Sequence, residues 1–163
     1  MVHGYLNLLA GLLPEQPSID INFSSAGFKE SGRPAGKPIR EVAYELGFQL
    51  DEHRSTTLDT HLVEWANIII HMGPGNEKRL RRFITEKGMD VGFYMSKAHS
   101  LGHWCGRRNI QDFAFIKPGT EKFDTVVRYT VAACNKLMQE VIVPQATEEQ
   151  AKARFVTETE KGL

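Results

Sequence analysis

The sequence predicts an α/β fold, a three-layer domain with a short parallel sheet flanked by helices. Three observations carry this. The run Ile68-Ile69-Ile70 is apolar without alternation, the pattern of a strand covered on both faces. Segments with helical apolar spacing flank it on both sides. The order along the chain reads helix, strand, helix, helix, strand, helix, a further short strand, then one long helix, which is the alternation of a parallel sheet.

In order, Val2 to Leu13 places Tyr5, Leu6, Leu8, Leu9, Leu12 and Leu13 at helical spacing and stops at Pro14. Ser18 to Phe23 alternates Ile19, Ile21 and Phe23 with polar residues and reads as a strand. The Gly-, Ser- and Pro-rich stretch Ser24 to Lys37 is a loop, with Ser24 and Ser25 tightening a turn at its start. Pro38 opens a helix that runs through Val42, Ala43 and Leu46 to Gly47. A turn carries Asp51-Glu52-His53-Arg54, in which His53 and Arg54 are expected to brace backbone carbonyls rather than catalyse. Thr57 to Trp65 is a short helix, Asn67 to Met72 the buried strand, and Asn76 to Lys87 a basic helix ending at Gly88. Val91, Phe93 and Met95 predict a short strand, as does the stretch around Leu101. Thr120 to Val143 is a long amphipathic helix with Phe123, Val126, Val127, Tyr129, Thr130, Ala133, Leu137 and Val141 toward the core, ended by Pro144. The domain is expected to span residues 1–143, with a charged tail over 144–163.

Composition narrows the function classes. At 163 residues the chain is one domain by length, with an ordinary 41% hydrophobic and 25% charged residues. Twenty basic residues balance twenty acidic ones, so no global field favours nucleic acid or a membrane surface. Leu6 to Leu13 lacks a basic leader and is too short to span a bilayer. Cys105 and Cys134 show no disulfide or zinc-knuckle spacing, so the expected setting is reducing and cytoplasmic, with no cofactor. His99, His103 and Cys105 have ligand-like spacing without a fourth donor, and no metal is expected. The charges of Lys78, Arg79, Arg81, Arg82 and Lys87 read first as a solvated helix face and second as contacts to an anionic partner. Arg107 and Arg108 read first as part of a surface loop that packs Trp104 and second as contacts to an anion or nucleic acid.

Taken together, Ser24-Ser25-Ala26-Gly27, the turn Asp51-x-His53-Arg54-Ser55 with Leu58, and Trp65-Ala66-Asn67-Ile68-Ile69-Ile70-x-Met72 with Asn76 and Leu80 resemble the low-molecular-weight protein tyrosine phosphatases and their arsenate-reductase relatives. Asn109-Ile110-Gln111-Asp112-Phe113 resembles that family's general-acid loop, and the long helix from Phe123 its last helix. The resemblance covers residues 3 to 140. It implies structural turn roles for Ser25, Gly27, His53, Arg54 and Asn76, and it places Asp112 at the general-acid position, a catalytic residue only if the chain is active.

The chain departs from the family in ways that bear on chemistry. The family's phosphate-binding loop pairs a thiolate nucleophile with an arginine six residues on. Here Gln111 and Glu140 stand six residues beyond Cys105 and Cys134. Gly73 stands where the family commonly has aspartate, and Phe113 replaces the proline after the general acid. The chain begins where the helix after the phosphate loop would begin, so the N-terminal strand is expected to be missing or replaced. The gap is filled by closure of the flanking strands, by Val141-Ile142-Val143 and the tail, or by a strand from another chain. The leading expectation is a catalytically inactive phosphatase-like domain that serves as an interaction or assembly module. Its expected partner is a protein or a second copy at the incomplete sheet edge. The alternatives are a phosphatase whose phosphate loop comes from a partner chain or from upstream residues, and an anion or nucleotide binder without turnover.

Overall fold

The computed structural model describes residues 1–13, 21–29, 31–111, 113 and 116–144. Helices α1 (Val2–Gly11) and α2 (Lys37–Glu45) precede the sheet, with Pro38 in the first turn of α2 where its missing N–H costs nothing. Helix α3 (Thr60–Trp65) starts on Asp59, whose carboxylate accepts the Leu62 N–H at 2.8 Å. Strand β1 (Ile69–His71), helix α4 (Pro74–Glu86), helix α5 (Val91–Ser96) and strand β2 (Ala98–Ser100) follow. A 3-10 turn over Leu101–Cys105 leads to the long helix α6 (Glu121–Leu137), which widens into a π-type turn over Met138–Ile142.

Strands β1 and β2 pair in parallel, with Ile69 opposite Ala98, Ile70 opposite His99 and His71 opposite Ser100. Side chains alternate across a strand, and the two faces meet different helices. Ile69 and Ala98 pack on Val63, Leu80 and Ile84 of α3 and α4. Ile70 and Met72 pack on the larger core, where Leu101, Trp104, Ile110 and Phe123 meet Ala133, Cys134 and Leu137 of α6 and Tyr5 and Leu6 of α1. This is the helix–sheet–helix layering read from the sequence. On α6, Phe123, Val126, Thr130, Ala133 and Leu137 are all buried, as a helical stripe requires.

Several segments differ from the sequence reading. Val91 to Met95 is helical, because the Asp90 carboxylate accepts the Phe93 N–H at 2.9 Å and caps a turn there. The strand expected around Leu101 lies just before it, at Ala98–Ser100, and Leu101 itself starts the 3-10 turn. Ile21 to Phe23 alternates half-buried and exposed residues but pairs with no strand among the described residues; Ser18 to Asp20 lie outside them. Ile68, Ile69 and Ile70 are half-buried rather than fully buried, although helices lie on both faces of the strand. Val141 and Ile142 belong to the π-type turn and so continue the last helix instead of entering the sheet. The tail from residue 145 lies outside the described residues. No helix among those described is long and apolar enough to cross a membrane.

Candidate functional site

Open parallel sheets place their sites beyond the carboxyl ends of the strands. Here that end is formed by His71, Met72 and Gly73 after β1 and by Ser100 and Leu101 after β2. The loop at residues 109–111 is tied to it, since the Ile110 N–H donates to the Met72 carbonyl at 3.1 Å. Gly73 is buried, and a Cβ built on it would lie 1.8 Å from the Asn109 Oδ1. The Asn109 side chain fills the space that a side chain at position 73 would take. Asp112 lies outside the described residues, while Phe113 next to it packs edge-on against Phe123 at 5.7 Å and anchors the loop to α6.

A second group of residues gathers around His3 in the first turn of α1. Its Nδ1 lies 3.2 Å from the Ser25 Oγ, and its ring stands edge-on to His53 with centroids 6.3 Å apart. Gly27 fastens this turn to the chain before α3, with its N–H on the Thr56 carbonyl and its carbonyl accepting the Leu58 N–H, both at 2.8 Å. Arg54 folds onto its own turn, donating to the Asp51 and His53 carbonyls at 2.8 and 2.9 Å. The structure thus brings Ser25, Gly27, His53 and Arg54 into one region. His3 is the member that sequence reasoning missed. It is 22 positions from Ser25, and no local pattern marks it.

Burial disfavours the charged form of both imidazoles here. Burial lowers His3 below its ordinary 6.5, and the neighbouring His53 lowers it further. Burial likewise lowers His53, with Arg54 adding to the effect. His71 is lowered by burial against the opposing pull of the Glu77 carboxylate. Its Nδ1 and the Oγ of Ser100, its partner across the strand pair, are buried without a hydrogen-bond partner among the described residues. The unfolded chain therefore takes up protons near pH 6.5, where the folded chain does not, and stability rises with pH across that window. Thermal unfolding followed from pH 8 to pH 5 is expected to show Tm falling as pH drops through 6.5, and a His53→Gln variant to show a flatter fall. A Tm that rises over the same descent would contradict the assignment.

The other candidates lie elsewhere. Arg79, Arg81 and Arg82 sit exposed on α4, where Arg81 and Arg82 pair with Glu77 and Glu86 at 3.9 and 3.4 Å. Lys78 and Arg79 have no ion-pair partner among the described residues. Asn76 donates its N–H to the Gly73 carbonyl at 3.0 Å in the first turn of α4. Arg107 stacks over the Tyr129 ring at 4.3 Å and donates to its hydroxyl, so its guanidinium is engaged within the chain. Arg108 is exposed. His99 and His103 stand edge-on to the buried Trp104, at 6.1 and 5.5 Å.

Neither thiol lies in the turn that follows β1. Cys105 ends the 3-10 turn and packs half-buried against the larger core, in which Cys134 of α6 is buried. Burial pushes the Cys134 thiol up to about 12. Burial also raises Cys105, only partly offset by Arg107.

The fold has clear counterparts. The chain aligns with the tyrosine phosphatase Wzb from Escherichia coli K30, solved with sulphate, at 23% identity and TM-score 0.67, covering 86% of this chain and 87% of that one. It aligns with a low-molecular-weight protein tyrosine phosphatase from T. tengcongensis at 18% identity and TM-score 0.69, covering 86% and 88%. For the Drosophila arginine phosphatase the values are 18% and 0.70, with 85% and 87% covered. The fold is therefore that of the low-molecular-weight phosphatases. No family profile and no curated protein matches the chain.

Proposed function

We propose that these residues form a phosphatase-fold binding domain that runs no thiolate chemistry with its own cysteines. The state of the two thiols carries the reading. A nucleophile for phosphorus must be ionised near neutral pH, and a thiol at about 12 is ionised in roughly one molecule in 10⁵ at pH 7. Cys134 is a buried core residue of α6 and Cys105 packs half-buried against that core, and Gln111 and Glu140 stand where the arginine that would hold the oxyanion would be. The domain then acts by binding a protein partner. The exposed Lys78, Arg79 and Arg108 offer contacts to anionic groups on that partner, and two free thiols suit a reducing, cytoplasmic setting.

Alkylation of the folded chain across pH, read by mass spectrometry, tests the thiol assignment. Cys134 is expected to stay unmodified below pH 9 and Cys105 to react only as pH rises past its ordinary range. Alkylation of either at a pH-independent rate below pH 7 would overturn the reading.

One observation favours a second reading. The outer edge of β1 carries no strand among the described residues, so a phosphate-loop strand from another chain or from preceding residues has a place to pair. Asp112 would then be the proton donor of a working phosphatase.

A further inference from the structure

Helix α4 has two faces of opposite character. Leu80 and Ile84 are buried and hold it to the sheet, while Lys78, Arg79, Arg81 and Arg82 are exposed. Five basic and two acidic residues lie between Pro74 and Lys87, in a chain whose twenty basic and twenty acidic residues balance. The positive charge is gathered on this helix rather than spread over the surface. Arg108, also exposed, extends it. Its neighbour Asn109 lies against Gly73, the residue before the helix, where the positive end of the helix dipole lies.

The spacing of these cations works against the helix. Lys78 stands four positions before Arg82 and Arg79 three before it, so the three are neighbours on one exposed stripe. Like charges at such spacings weaken a helix, whereas a glutamate at position 78 would pair with Arg82 in the favourable order. Packing does not require lysine or arginine here, since the core contacts of α4 come from Leu80, Phe83 and Ile84. The acidic residues of the helix sit at the margins of the stripe, Glu77 on Arg81 and Glu86 on Arg82. Local rules broken without a structural gain mark functional surfaces.

The size of the stripe sets the class of anion. The 13 residues of α4 span about 20 Å, which a short run of carboxylates covers. A nucleic acid suits it less. Its phosphates continue past both ends of the helix onto surface that carries the balancing negative charge, and they meet Glu77 and Glu86 on the way.

We propose that the exposed face of α4 binds a short segment of a partner protein rich in aspartate and glutamate, with Lys78, Arg79 and Arg82 at the centre of the contact and Arg108 beyond the helix start. This rests on the reading of the domain as a binding module and names the chemistry of the partner.

The test uses the full chain and a fluorescein-labelled dodecapeptide of alternating glutamate and serine, with binding read by fluorescence anisotropy. The parent is expected to bind at about 50 mM salt and to lose about tenfold in affinity at about 200 mM. Lys78→Glu and Arg79→Glu are each expected to weaken binding about fivefold or more. Lys122→Glu makes the same change of net charge on the exposed face of α6 and is expected to leave binding within about twofold. The melting temperature of Lys78→Glu is expected to be no lower than the parent's, which separates loss of binding from loss of the fold. Equal weakening by Lys122→Glu would overturn the proposal, as would no binding at millimolar peptide or tighter binding of a single-stranded DNA of the same charge. Each of those results leaves the thiols unreactive and the chain without turnover, whereas failure of the binding-module reading shows as thiolate alkylation or phosphoester hydrolysis.

Discussion

Replacing Gly102 by alanine is expected to cost about 2–3 kcal/mol of stability, near the top of the range for overpacked sites. The added Cβ would lie 2.4 Å from the Arg107 carbonyl oxygen, 3.1 Å from its carbon and 3.3 Å from the Asn109 nitrogen. These are backbone atoms, so no side-chain rotation relieves the contact. The Arg107 N–H in turn donates to the Gly102 carbonyl at 2.8 Å, which closes the turn on itself. Opening that turn displaces Asn109, and with it the hydrogen bond from Ile110 to Met72 that seats the loop on the carboxyl end of β1. Urea unfolding gives the loss of stability, and exchange of the Ile110 amide reports whether the loop has come away. A variant within about 0.5 kcal/mol of the parent, with Ile110 still protected, would show that the turn has slack that these distances deny.

The second large effect is expected at Ile84. It is fully buried and shares its cluster with Val63 and Leu80, the only other buried members among the described residues. Ile84→Ala removes the centre of that small core and is expected to cost about 3 kcal/mol. The loss should be regional. Helix α4 meets the sheet through this cluster, whereas α6 is held by the larger one, so α4 amides should lose protection before those of α6. Lys78→Ala, on the exposed face of the same helix, is expected to stay within about 0.5 kcal/mol of the parent. Uniform loss of protection across α4 and α6 would contradict the division of the core into two parts.

Much of the fold is legible in the residues because helical burial leaves a periodic record. The stripe from Phe123 to Leu137 announces α6, and Pro38 marks the first turn of α2. Where the record is short it misleads. Val91, Phe93 and Met95 alternate like a strand, but five residues also cover barely more than one helical turn, and the Asp90 cap decides between them. The isoleucine run shows that β1 is apolar but not how many neighbours it has, because apolarity records what a strand can bury and not what arrives to bury it. The candidate site divides in the same way. The turn carrying Ser25 and the one carrying His53 and Arg54 are recognisable as local motifs. Their meeting through His3 is not, and neither is the exchange of a side chain at position 73 for the amide of Asn109. Both depend on distances that only the folded chain sets.

The most direct test of the central claim is hydrolysis of a generic aryl phosphate by the purified chain, measured beside its Cys105→Ser and Cys134→Ser variants. With Cys134 raised to about 12 and Cys105 raised by burial, no turnover above background is expected from any of the three. Turnover by the parent that vanishes on replacing either cysteine would contradict the account, and would place a working thiolate at a thiol that its surroundings hold protonated.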